Sequence, residues 1–170
     1  MNLLYFTLIF SLLYSLIEIE IEGKYGWMEK AYSVGVLEAG GKNFTLYHIY
    51  MILVLILIYA YVTDLKMNSK SIGVFIFHIT LFLLLEDFLW FVFNPYYTIK
   101  KYNKNINWHS NQKWLFGMPL HNYIGIMILL LMTYLTNEIT LLKNLGILLP
   151  ITIIIIYLAP IYHKFYTNCH

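Results

Sequence analysis

A chain of 170 residues that is 60% hydrophobic and only 12% charged has too little polar surface to coat a water-soluble globule, so it reads as membrane-embedded. Its net charge of +2 comes from dispersed lysines, with no arginine, and this excludes a nucleic-acid-binding face. The single cysteine, Cys169, excludes an intrachain disulfide and a cysteine-rich zinc site.

The first apolar run has neither the basic leader nor the small-residue cleavage site of a signal peptide, and Glu18, Glu20 and Glu22 follow it directly. It is therefore predicted as the first of about five membrane-spanning helices, since crossing about 30 Å of hydrocarbon takes roughly 20 helical residues. The five are Leu3 to Ile21, Phe44 to Thr63, Ile72 to Phe93, Leu120 to Thr136 and Leu141 to Tyr162. Pro150 and Pro160 are expected to kink or fray the fifth, because each removes a backbone donor. Asp64 to Ser71 and Asn137 to Thr140 read as tight turns. Gly23 to Asn43 and Pro95 to Pro119 read as long interfacial loops, with Trp27, Trp108 and Trp114 at headgroup level. No internal repeat is visible, so the expectation is an all-α, polytopic transmembrane helix bundle forming a single integral membrane domain over residues 1–170.

Five crossings put both long loops and the C-terminus at one end, and the N-terminus and both short turns at the other. The loop end carries most of the lysines, so the positive-inside rule predicts it in the cytoplasm of a cell-membrane protein, with the N-terminus outside.

The same count gathers the unusual residues. An acid in a membrane helix is costly and marks a site facing a polar interior. Glu86 and Asp87 interrupt the third apolar run, about 11 Å inside its end, while Glu18 and His48 lie about 6 Å inside theirs. Glu18 and Glu22 share a helix face at i, i+4, whereas Asp87, Trp90 and Asn94 share another, which makes Asp87 the acid expected to face the cluster. His121 opens the fourth helix and His109 lies in the loop before it. Carboxylates and imidazoles of this kind are ligands for a divalent metal such as Zn, Fe or Mn, with Glu18, Glu22, His48, Glu86, Asp87, His109 and His121 as the candidate set. They also suit metal-free acid/base catalysis, in which Glu86 or Asp87 exchanges protons with His48 or His121. A third reading has the acids simply pairing across helices to hold register. His78 lies on the opposite face from Asp87 and is expected to hydrogen-bond across a helix interface, and His163 at the tail is expected to do nothing specific. No H-E-x-x-H, G-x-S-x-G or P-loop motif occurs.

The motifs Glu18-x-Glu20-x-Glu22-Gly23, Gly26-Trp27, Tyr47-His48, Glu86-Asp87-Phe88-Leu89-Trp90-Phe91 with Asn94-Pro95, and Trp108-His109 with Lys113-Trp114 resemble an uncharacterised group of small prokaryotic polytopic membrane proteins. That resemblance implies that helices one to four act as a unit, and implies no activity. More locally, Leu85-Glu86-Asp87-Phe88 resembles the acidic motif of membrane-integral lycopene cyclases, which implies proton-initiated chemistry on a carotenoid. Phe44-x-x-x-His48 resembles one motif of the intramembrane CAAX-type proteases, whose Glu-Glu-x-x-x-Arg partner is missing here. The expectation is an enzyme acting on a lipid or isoprenoid, with membrane lipids as partners. The alternative is a non-enzymatic binding, transport or structural subunit, for which a homo-oligomer would supply the paired halves that five helices lack.

Overall fold

The computed structural model describes residues 2–23, 36–39, 42–102 and 113–169. Five helices carry the fold: α1 (Leu3–Glu22), α2 (Leu46–Val62), α3 (Ser69–Phe93), α4 (Leu120–Thr136) and α5 (Ile139–Cys169). Of these, α1, α3 and α5 are long and apolar enough to cross a membrane, while α2 and α4 are shorter apolar helices of 17 residues, about 25 Å each. The protein is an all-α membrane protein. Large apolar side chains such as Leu57, Met127, Leu135 and Ile161 stay exposed on the bundle, as a lipid-facing surface requires.

Two expectations for the connections need correction. Part of each long loop is a small antiparallel β-hairpin: β1 (Val36–Ala39) pairs with β2 (Lys42–Thr45), and β3 (Trp114–Leu115) with β4 (Met118–Pro119). Phe44 therefore belongs to a strand, and α2 starts only at Leu46. The fifth helix is one element of 31 residues that contains both Pro150 and Pro160 and does not end at either. The Thr152 hydroxyl donates to the Leu148 carbonyl at 3.0 Å, the i−4 bond usual for a threonine inside a helix.

The short turn between α2 and α3 is built from local polar chemistry. Asp64 takes a left-handed conformation, with φ 49°, and Leu65 N donates to Ala60 O, closing α2 with a Schellman motif. Asn68 then caps α3, its side chain accepting from Ser71 N at 2.9 Å. The cap lets α3 begin three residues before the apolar run does. Lys70 on α3 reaches Glu138, just before α5, at 2.6 Å and so joins the two short turns at one end of the bundle.

Helix α3 is the centre of the packing. It runs parallel to α1 in a fixed register: Thr7 meets His78, Ser15 meets the Glu86 carbonyl, and Gly23 meets Asn94, each pair 71 residues apart. The α1 face that allows this approach carries Thr7, Ser11 and Ser15 at i, i+4 and i+8, all at 0% exposure. Each hydroxyl also bonds the carbonyl four residues earlier in its own helix, so no polar atom is stranded. The Thr7 hydroxyl donates to Leu3 O, so it accepts the Nδ1 proton of His78 at 3.1 Å. His78 thus holds a helix interface, as its position predicts.

Against α4 the packing of α3 is antiparallel and close. Gly73 lies under the Thr136 methyl, and a Cβ at Gly125 would sit 2.8 Å from a Leu84 methyl. Helix α2 packs mainly through Tyr59, whose ring lies among Phe6, Phe10 and Phe82. Helix α5 joins α3 through Tyr162 on Phe93 and through His163, whose Nε2 lies 2.9 Å from the Val92 carbonyl. That carbonyl falls in the last turn of α3, where the helix itself supplies no donor. The expectation that His163 does nothing specific is therefore corrected: it satisfies a helix end.

Candidate functional site: an acidic end of the bundle

The parallel register of α1 and α3 brings their last turns side by side. Glu18 and Glu22 recur at i, i+4 on α1, and Glu86 and Trp90 at i, i+4 on α3. The Glu86 carboxyl comes within hydrogen-bonding reach of Glu18, with Glu22 and Asp87 nearby, and the Trp90 side chain faces Glu22 one turn further on. The Ser15 hydroxyl, 3.1 Å from the Glu86 carbonyl, fixes the backbone that carries the acid. Asn94 closes this end. Fully buried, it donates to Gly23 O at 3.2 Å and accepts from Tyr96 N at 3.0 Å, so the ends of α1 and α3 are clamped together.

The two adjacent acids of α3 do different things. Consecutive helical residues point about 100° apart, and α3 has α1 on one flank and α4 on the other, so Glu86 turns to α1 and Asp87 to α4. Asp87 lies 3.8 Å from His121 Nε2 and beside the Tyr102 hydroxyl, which accepts from Asn122 Nδ2 at 2.6 Å. Burial, then the Asp87 charge, push the Tyr102 phenol well above the usual tyrosine range, so it stays a neutral donor toward that carboxylate. Asp87, the acid expected to face the cluster, lies toward its α4 member His121, while Glu86 faces the α1 acids Glu18 and Glu22.

Aromatic rings roof the acids. Tyr102 packs edge-on to Phe91 at 4.8 Å and Trp114 lies 5.6 Å from Tyr102. Tyr97 packs at a tilt against Trp90, ring centroids 5.0 Å apart, and carries the Lys101 ammonium 5.2 Å above its ring.

No family model, curated protein or solved structure matches this chain.

Of the residues expected at the site, Glu18, Glu22, Glu86, Asp87 and His121 do gather at one end of the bundle. His48 sits in the first turn of α2, but its side chain lies outside the described residues, as does all of His109. Among the described residues no group of three or more His, Cys, Asp or Glu side chains converges as a metal ion needs. The candidate ligands are divided between the two flanks of α3, Glu86 facing the acids of α1 and Asp87 facing His121 of α4. Tyr102 was not anticipated. Asn122 shares a buried stripe with Gly125, Leu129 and Thr136, and that spacing was legible in the sequence. Tyr102 carries no periodic signal, since it sits in a loop.

Proposed function

We propose that the protein is a membrane-embedded acid/base enzyme acting on a lipid or isoprenoid that enters the acidic end of the bundle from the bilayer. The observation that carries this reading is the approach of the Glu86 carboxyl to Glu18 within an apolar bundle. A hydrogen bond between two carboxyls needs one proton between them, so the pair is a store from which a proton can be given and to which it can return. Asp87 with His121 supplies a second proton-exchanging pair on the other flank of α3. In this reading all five helices cross the membrane, and the acidic end, which carries Lys101, Lys113 and Lys164, lies in the cytoplasm and attracts anionic headgroups.

The test is incubation of reconstituted protein with lipid and isoprenoid substrates, followed by mass spectrometry. Wild type should convert one class, and Glu86→Gln should lose 10²-fold or more of that rate, the ordinary worth of a positioned acid or base. Infrared spectroscopy of the same samples should show a protonated carboxyl band in wild type that disappears in Glu86→Gln. Conversion undiminished in Glu86→Gln refutes the assignment. A structural subunit is the second reading, favoured by Ser15, Tyr102 and Asn122, which tie the acid-bearing turns to neighbouring elements. It predicts no conversion by wild type and a large loss of thermal stability in Glu86→Gln.

A further inference from the structure

The hairpin Trp114–Pro119 is closed by two residues in left-handed conformation, Phe116 at φ 46° and Gly117 at φ 82°, flanked by the pair Leu115 and Met118. This is the turn geometry that matches strand twist, and it ordinarily takes Asn-Gly or Gly-Gly. A bulky aromatic in the first position is a backbone outlier. The same Phe116 is 93% exposed, and nothing among the described residues covers it. An apolar ring held outward on a strained backbone persists where its surroundings repay the strain.

Those surroundings can be identified from the hairpin's place. Strand β4 runs without a break into α4, whose Leu120, Ile124 and Met127 are exposed along the apolar bundle surface, so the tip stands at the end of that surface. The hairpin cannot fold away from it. Leu120 N donates to Lys113 O at 2.8 Å, and the Tyr123 hydroxyl donates to Leu115 O at 2.8 Å. An apolar tip above a lysine, Lys113, is the chemistry of a segment lying in the headgroup layer. We propose that the Trp114–Pro119 hairpin is a membrane anchor that seats Phe116 in the lipid interface beside α4. Through Trp114 on Tyr102, the anchor is joined to the roof of the acidic end.

The test uses the full chain in phosphatidylcholine–phosphatidylglycerol vesicles. A nitroxide is attached at Phe116→Cys in a Cys169→Ser background, and its collisions with oxygen and with a water-soluble nickel chelate are measured. Leu130→Cys, on the exposed face of α4, gives the lipid reference, and Asp64→Cys, in the exposed turn, the water reference. The expected oxygen-to-nickel ratio at position 116 lies between the two references, several-fold above that at position 64. A ratio equal to that at position 64 overturns the proposal. So does dipolar broadening between labels, which would mean that the tip meets a second copy of the chain. As an independent check, Phe116→Asn suits the left-handed backbone and should raise the melting temperature in detergent while lowering it in vesicles. A rise in both media also overturns the proposal.

Discussion

Gly125 is where the packing that aligns Asp87 with His121 can be tested most directly. A Cβ added there would meet three carbons of one side chain, Leu84 Cδ2 at 2.8 Å, Cδ1 at 3.0 Å and Cγ at 3.1 Å. Comfortable carbon contacts lie at about 3.5–4.0 Å, and because the branch carbon itself is too close, rotating the Leu84 methyls does not clear the space. Overpacking of this kind costs about 1–3 kcal/mol, against which alanine regains up to about 1 kcal/mol of helix propensity over glycine. Gly125→Ala should therefore lower stability by about 1 kcal/mol, or about 2–4 °C in melting temperature for a chain of this size. In a Leu84→Ala background the clash is gone and only the propensity gain remains, so the same substitution should raise stability. The assay is thermal unfolding of the four purified proteins of the cycle in one detergent. If Gly125→Ala raises the melting temperature equally in both backgrounds, α3 and α4 are not packed at this distance and the alignment of Asp87 with His121 loses its basis.

Three further predictions test other joints of the structure. Thr7→Val removes the acceptor of the His78 Nδ1 proton and should cost about 0.6–1.7 kcal/mol in thermal unfolding, with Thr7→Val and His78→Phe together costing less than their sum. Lys70 holds the Glu138 carboxyl below the usual glutamate range by hydrogen bond and charge, so the contribution of the pair is present above that range and is lost as pH falls through the folded value. Melting curves of wild type and Glu138→Gln should accordingly converge on acidification, with only a small gap at neutral pH because the pair is exposed. Tyr102 is shifted the other way, by burial and by Asp87, so its contribution is full below the ordinary tyrosine value and is lost as pH rises beyond it. Ultraviolet titration should show one more phenol resisting ionisation in wild type than in the Tyr102→Phe protein.

The five helices are legible as apolar runs, because lipid leaves the chain few other ways to satisfy its backbone. Their ends are less so. The start of α3 depends on the Asn68 cap, a polar signal before the apolar run, and α5 continues through Pro150 and Pro160, where a proline ordinarily marks a helix boundary. The hairpins are too short for periodicity to reveal, although Gly40-Gly41 between two short runs was a usable hint for the first. For the site, the gathering of Glu18, Glu22, Glu86, Asp87 and His121 follows from counting crossings. Which acid faces which neighbour does not, since that depends on α1 and α4 flanking α3, a fact of packing rather than of pattern. The repeat Thr7, Ser11, Ser15 was visible throughout, yet it becomes informative only when α3 is known to be its partner.

The parallel pairing of α1 with α3 has a consequence for how the protein is made. Glu86 follows Glu18 by 68 residues, and at about 5–20 residues per second a ribosome needs about 3–14 s to deliver the partner helix. During that interval α1 waits in the bilayer without the neighbour its polar face was built for. Thr7, Ser11 and Ser15 meet the delay well, since each hydroxyl already bonds its own helix. Glu18 and Glu22 sit in the last two turns, where headgroups and water can solvate them until α3 arrives. The placement of hydroxyls along the shaft and acids at its end makes α1 a helix able to be inserted first and completed later.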